Sequence, residues 1–326
     1  MTIPVGILGL GIYLPEKRLI NADLEKMVDT TNEWIITRTG INERRIADKG
    51  VPTSELATAA ARNALQSAGI QVSDLDLIIV ATISPDMLFP ATACVVQHKL
   101  GAECPAYDIS AACSGFPFAM SAAQSYVSSG MYKRVLVIGA EVLSSFIDWT
   151  DRSTCVLFGD GAGAAILAPA INGRTIVSTY LGSSGKHADL LKLPAGGSAM
   201  PTSDETVRNR LHYLKMDGKE IFKLAVRCMG NAVLKILSDN RLELNDIACL
   251  IPHQANLRII KAVAERVGMP MERVFINVDK YGNMSSAASI VALAEAAESG
   301  RIKNGDYVVL VAFGAGLTWS ATLIRW

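Results

Sequence analysis

Two pairs of matching stretches, far apart in this chain, limit its fold more than anything else in the sequence. Ser73-Asp74-Leu75-Asp76-Leu77-Ile78-Ile79 is matched by Asn245-Asp246-Ile247-Ala248-Cys249-Leu250-Ile251. Val135-Leu136-Val137-Ile138-Gly139 is matched by Val308-Val309-Leu310-Val311-Ala312. Both pairs are offset by roughly 170 residues, too long a period for a solenoid. Leu77 to Ala81 and the runs at Val135 and Val308 are continuous apolar segments of strand length, as expected for strands covered on both faces. Helical patterns alternate with them, over Phe222 to Leu237 and up to a stop at Gly300 in the second half. A third likeness joins Phe158-Gly159-Asp160-Gly161 to Phe313-Gly314-Ala315-Gly316. The chain reads as two fused copies of one α/β unit, each a mixed sheet with helices on its faces. Equivalent elements then lie across a pseudo-twofold axis, so side chains at strand and helix ends from both copies can converge on one cleft.

Other stretches are less distinctive. Val5-Gly6-Ile7-Leu8-Gly9-Leu10-Gly11 reads as a buried strand ending in a glycine turn. It is a poor dinucleotide fingerprint, because Pro15 and Glu16-Lys17-Arg18 follow where a phosphate-binding helix should begin. Ser54 is placed to cap a helix running to a Gly69 stop. Acidic and basic residues balance at 31 each, which gives no global argument for nucleic acid or a charged membrane surface. No apolar run spans a bilayer, and Met1 to Gly6 has the look of neither a charged leader nor a cleavage site. The six cysteines (Cys94, Cys104, Cys113, Cys155, Cys228, Cys249) form no C-x-x-C pair and no zinc-ligand spacing. They are expected to be free thiols in a reducing cytoplasm.

Candidate chemistry centres on Asp108-Ile109-Ser110-Ala111-Ala112-Cys113-Ser114-Gly115-Phe116. A run of tiny residues leads to one cysteine, and a helical pattern through Phe118, Ala119, Ala122, Ala123 and Tyr126 follows. A helix starting there would set free N–H groups and the positive dipole end beside the sulfur, favouring the thiolate. By itself the stretch fits two readings, a nucleophile and a buried structural thiol. Pro252-His253-Gln254-Ala255-Asn256 falls at an expected strand end, and Tyr281-Gly282-Asn283-Met284-Ser285-Ser286 at an expected helix start. Taken singly, His253 also fits a satisfied core residue and Asn283 an ordinary turn.

Together these strings resemble the thiolase-like superfamily and, within it, the β-ketoacyl-acyl carrier protein synthase III family. The resemblance runs over essentially the whole chain. It includes Asn21 to Leu24, Trp34-Ile35, Arg38-Thr39-Gly40-Ile41, Ala111 to Phe116, Phe158 to Ala164, Pro252 to Ile260, Gly282-Asn283 and Phe313 to Trp319. It implies two duplicated halves with mixed five-stranded sheets in an αβαβα layering. Residues 1–172 would carry the cysteine, and 173–326 the histidine and asparagine.

The resemblance further implies an initiating condensing enzyme of fatty acid synthesis. Cys113 would take an acyl group from acyl-CoA, and His253 and Asn283 would hydrogen-bond the malonyl thioester carbonyl of malonyl-acyl carrier protein. The backbone N–H groups of Cys113 and Ala315 would hold the tetrahedral oxyanion. The family's CoA contacts map to Thr30, Trp34, Arg38, Arg152, Gly218, Phe222, Ala255 and Asn256. Its acyl-pocket positions map to Phe89, reaching from the partner of a homodimer, and Leu317. Lys223 and Arg258 match the patch that meets acyl carrier protein. No metal or redox cofactor is implied, and the expected setting is cytoplasmic. Two departures stand out: Met284 where many members have Thr, and Leu317 where some have Phe.

Residue types separate this family from two of its relatives, while chalcone-synthase-like enzymes share Cys, His and Asn and match the surrounding strings less well. The elongating enzymes use two histidines, and thiolases need a second cysteine in the late glycine motif, which this chain lacks. A starter-unit condensing enzyme of a polyketide or other secondary pathway is the alternative. A nucleotide-binding oxidoreductase would rest on Gly6 to Gly11 alone.

Overall fold

The computed structural model describes residues 2–170 and 173–326. The first sheet joins five strands: β1 (Val5–Tyr13), β2 (Leu77–Ala81), β3 (Ala106–Ile109), β4 (Val135–Val142) and β5 (Asp160–Pro169), in the order β1-β5-β4-β2-β3. The second joins β6 (Thr175–Ser183), β7 (Ile247–Pro252), β8 (Tyr307–Gly314) and β9 (Thr318–Arg325), in the order β7-β8-β9-β6. Read from the other edge, this is the same arrangement, with β6, β9, β8 and β7 standing for β1, β5, β4 and β2. In both sheets the central pairing is parallel (β2 with β4, β7 with β8) and the flanking one antiparallel (β4 with β5, β8 with β9).

The fifth place in the second sheet is reduced to one parallel bridge between Leu250 and Val274. A side chain replaces the missing ladder there. Gln254 donates from Nε2 to the carbonyls of Pro252 (2.7 Å) and Phe275 (3.1 Å), while its Oε1 accepts from the N–H groups of Asn277 (2.9 Å) and Val278 (3.2 Å). The boundary expected after Asn172 falls outside the described residues; β5 ends at Pro169 and β6 begins at Thr175. The third likeness is not topological. Phe158 lies just ahead of β5, whereas Phe313-Gly314 ends β8.

The continuous apolar strands follow from the layering. In β2, Leu77, Ile79 and Ala81 face a central core, while Ile78 and Val80 face an outer one. In β8, Val308 and Leu310 face the same central core, and Val309, Val311 and Phe313 face a third. Helices α1 (Thr53–Ala68) and α2 (Thr92–Leu100) cover the first sheet's outer side, and α4 (Gly218–Asp239) and α5 (Leu257–Val267) the second's. Between the sheets lie two helices, α3 (Gly115–Ser128) and α6 (Ser286–Glu298). The αβαβα order expected from the family strings is present.

The middle layer is tight, which explains the small residues. A Cβ on Gly139 of β4 would stand 2.7 Å from the Ser286 carbonyl oxygen. α1 starts two residues earlier than its sequence suggests. Pro52 is the cap, and Ser54 sits inside the first turn, its N–H satisfied by Asp86 Oδ1 at 2.9 Å. The stops at Gly69 and Gly300 hold, with φ of 66° and 70°. All six cysteines are free. No helix among the described residues is long and apolar enough to cross a membrane, and no cluster there has the donors for a metal ion.

Candidate active site

Cys113 sits in a single 3-10 turn, Ala112–Ser114, that runs directly into α3. The turn begins with Ala112 at φ +47°, a left-handed conformation costly for a residue with a Cβ. Two ties from the second half hold it. Thr318 Oγ1 donates to the Ala111 carbonyl at 2.8 Å, and Ser114 Oγ donates to the Thr318 carbonyl at 3.2 Å. Gly314 completes the wall. A Cβ there would lie 2.5 Å from the Cys113 backbone nitrogen, so only glycine lets the end of β8 come this close.

His253 follows the end of β7, its N–H donating to the Val311 carbonyl at 2.7 Å. Both ring nitrogens are buried without a hydrogen-bond partner. Burial lowers the imidazole pKa to about 4, so the ring is neutral near pH 7 and one nitrogen carries a proton. Two unpartnered nitrogens in a buried ring are costly unless a ligand supplies their bonds.

Asn283 precedes α6. Its Oδ1 accepts from the Ser285 N–H at 2.9 Å, which leaves the amide N–H groups as its free donors. Ser285 itself is at φ +45°. Its hydroxyl favours the ionised forms of both Cys113 and Glu141, yet has no partner of good hydrogen-bond geometry.

The sulfur's environment differs from the expected one. Burial pushes the Cys113 thiol up to about 12, and the Ser285 hydroxyl and Cys113's own N–H offset only part of that. Desolvation of a fully enclosed thiolate outweighs the helix start, so the resting group is a neutral thiol.

Cys113, His253 and Asn283 line one cavity of about 620 Å³. Arg38, Gly218, Phe222, Ala255 and Asn256 line its outer part, with Lys223 and Arg258 beside them. Arg258 lies over the Phe222 ring at 5.7 Å. Thr30, Trp34 and Arg152 are not on this wall. Arg38 links to them, its guanidinium 6.0 Å from the Trp34 ring, and Arg152 rests on the same ring at 5.1 Å.

A second chamber of about 230 Å³ meets the first at Cys113 and is almost wholly apolar. Ile83, Leu143, Phe146, Leu193 and Leu214 form it, with Ser285 and Ala315 at its inner end. Leu317 does not reach it. That side chain is packed in the second sheet's outer core, its backbone paired with Ser184. Phe89 is 83% exposed beside Leu88 at 79%. Met284 is buried against Tyr281, Ala287 and Val291 and caps nothing.

Several contributors escape the sequence. Gln254 shapes the His253 loop, Thr318 ties the cysteine turn, and the excursion holding Leu193 and Leu214 walls the second chamber. Gln254 and Thr318 stood inside recognised strings without a role, whereas the excursion had no sequence signal.

Two family models match the chain. That described as 3-oxoacyl-[acyl-carrier-protein (ACP)] synthase III matches residues 107–185, and its C-terminal counterpart matches 237–326. A β-ketoacyl-[acyl-carrier-protein] synthase III of Caldanaerobacter subterraneus subsp. tengcongensis is 55% identical over 99% of this chain and 98% of its own length. The crystal structure of 3-oxoacyl-[acyl-carrier-protein] synthase III from Aquifex aeolicus VF5 is 46% identical with a TM-score of 0.91, covering 99% and 100% of the two chains. The priming β-ketosynthase of the R1128 polyketide biosynthetic pathway superposes at TM-score 0.90 with 35% identity, covering 99% of this chain and 96% of its own. Full-length identity at this level, joined to the duplicated fold and the cysteine at its centre, places the chain in the β-ketoacyl-[acyl-carrier-protein] synthase III family of condensing acyltransferases.

Proposed function

We propose that the chain is the initiating condensing enzyme of fatty acid synthesis, joining an acyl group from acyl-CoA to malonyl-acyl carrier protein at Cys113. The observation that carries the roles is the convergence of Cys113, His253 and Asn283 on one cavity wall, where the apolar chamber begins.

In the first half-reaction the Cys113 sulfur attacks the acyl-CoA carbonyl. The carbon–sulfur bond to CoA breaks, and the thiol proton of Cys113 ends on CoA. Exchange between two thioesters is nearly balanced, so the enzyme mainly has to stabilise the tetrahedral oxyanion. The N–H groups of Cys113 and Ala315 serve that role, and Gly314 brings the two backbones together. The acyl chain lies in the apolar chamber.

In the second half-reaction malonyl-acyl carrier protein enters the vacated cavity. The bond to its carboxylate breaks, carbon dioxide leaves, and the electron pair moves onto the thioester oxygen as an enolate. Neutral His253 and the Asn283 amide, both buried, donate to that oxygen. The carbanion attacks acyl-Cys113, the new carbon–carbon bond forms, and the sulfur leaves to regain a proton. The products are 3-oxoacyl-acyl carrier protein, CoA and carbon dioxide. No cofactor enters this scheme.

The CoA nucleotide is assigned to Thr30, Trp34, Arg38 and Arg152, with Gly218, Phe222, Ala255 and Asn256 along the pantetheine path. Lys223 and Arg258 at the rim suit an acidic carrier protein. Exposed Phe89 and Leu88 suit burial against a second copy in a homodimer, and the chain is assigned to the cytoplasm. Identity of 55% to a β-ketoacyl-[acyl-carrier-protein] synthase III, against 35% to the polyketide priming enzyme, favours the primary pathway.

The test is intact mass after incubation with acetyl-CoA and a panel of branched and longer acyl-CoAs. An adduct lost in Cys113→Ala is expected. No adduct with any primer, or one that survives the substitution, overturns the reading.

A further inference from the structure

Glu141, near the end of β4, is a carboxyl with no solvent exposure that the proposed chemistry does not use, and it lines neither chamber. It faces the start of α6 in the other half. Oε2 accepts from Ser84 Oγ at 2.6 Å, Thr82 Oγ1 at 3.2 Å and the Ile83 N–H at 3.2 Å. Oε1 meets Ser286 Oγ at 2.8 Å and the Ser286 N–H at 3.4 Å.

Ser286 Oγ also lies 2.8 Å from the Ala81 carbonyl oxygen. One hydroxyl has one proton, and a carbonyl only accepts. Both contacts are satisfied together when Ser286 donates to Ala81 and a protonated Glu141 donates to Ser286. Burial, which raises the Glu141 carboxyl's pKa, acts in the same direction.

The next residue back is Ser285, held at φ +45°, whose N–H pins Asn283 Oδ1. A strained backbone persists only where its surroundings over-determine it. Here the surroundings are Glu141 on one side and the turn carrying Asn283 on the other.

We propose that Glu141 is a positioning residue for the condensation half-reaction, clamping Ser286 so that the strained Ser285 backbone aims the Asn283 amide at the malonyl thioester. This rests on the role assigned to Asn283 above. It predicts a selective defect, because acyl transfer to Cys113 does not use that amide.

The experiment compares wild type, Glu141→Ala, Asn283→Ala and the double variant in two assays. One is single-turnover acylation of Cys113 from acetyl-CoA, read by intact mass. The other is condensation of pre-acylated enzyme with malonyl-acyl carrier protein. Glu141→Ala is expected to keep acylation within about threefold and to slow condensation about 10- to 100-fold, as a misplaced donor does. In the Asn283→Ala background the same substitution is expected to cost little more, since its route of action is already gone. Condensation at the wild-type rate, equal losses in both assays, or an undiminished loss in the Asn283→Ala background would each overturn the proposal. If Asn283→Ala alone condenses normally, the assignment of Asn283 falls and the clamp with it, whatever Glu141→Ala does. Should Glu141→Ala not fold, Ser286→Ala breaks the same clamp from its other end and is read by the same outcomes.

Discussion

Glu141 and Gly314 occupy the same place in the two copies of the fold. The alignment that pairs Val135 with Val308 also pairs these two residues, each near or at the end of its central strand. Each abuts the helix start of the opposite half. Gly314 leaves no room beside the Cys113 nitrogen, and Glu141 grips Ser286 through its side chain. Both helix starts contain a non-glycine residue in the left-handed region, Ala112 at +47° and Ser285 at +45°. One duplicated framework thus supports two tasks. Where the side chain is absent, the proposed oxyanion donors and nucleophile come together. Where it is a carboxyl, the turn beneath Asn283 is tied down.

Substitutions at the two positions test that contrast, and the largest effect belongs to Gly314. Gly314→Ala drives a methyl into the Cys113 backbone, so acylation is expected to fall by at least about 10²- to 10³-fold, the cost of one lost oxyanion donor. A near-normal rate of adduct formation by mass spectrometry would break the comparison.

His253→Ala comes next. Decarboxylation is expected to fall about 10²-fold or more while Cys113 still accepts an acyl group. Carbon dioxide release and intact mass measured together check this split. Loss of acylation as well would show that the two tasks are not divided as proposed.

The third effect is on stability against pH. His253 has its folded pKa held at about 4, below the ordinary 6.5. The unfolded chain therefore binds the extra proton first, and stability falls as pH drops from about 6.5 towards 4, by on the order of 3 kcal/mol. Glu141 works with the opposite sign. Its raised carboxyl pKa contributes stability that is present at low pH and lost as pH rises through the folded value. Denaturant midpoints at pH 5 and pH 7 are expected to differ less in His253→Gln than in wild type. In Glu141→Gln they are expected to shift the other way relative to wild type.

The smallest effect is expected from Thr318→Val, which removes the bond to the Ala111 carbonyl. A loss of about 1 kcal/mol is expected by denaturation, with acylation slowed more than that loss alone would suggest.

Much of this framework is legible in the residues themselves. Alternating burial on two faces makes Leu77 to Ala81 and Val308 to Ala312 uniformly apolar, so the strands and their repetition are visible before any coordinates. The Cys113, His253 and Asn283 strings are visible for the same reason, since each sits at a strand or helix end with distinctive neighbours. What escaped depends on distance. Nothing near Glu141 in sequence signals that Ser286, 145 residues later, is its partner. The neutral state of Cys113 escaped too, because a helix start is local while desolvation is set by both halves closing around the sulfur.

The two chambers meeting at Cys113 carry a kinetic consequence. The inner one, about 230 Å³, is the chamber proposed for the acyl chain, and the corridor of about 620 Å³ is the proposed route for both CoA and carrier-borne malonyl. Two visitors sharing one corridor cannot attend together. CoA must depart before the second donor enters, so initial-rate plots should be parallel lines of the ping-pong type. Excess of either donor should then slow turnover by occupying the corridor at the wrong moment.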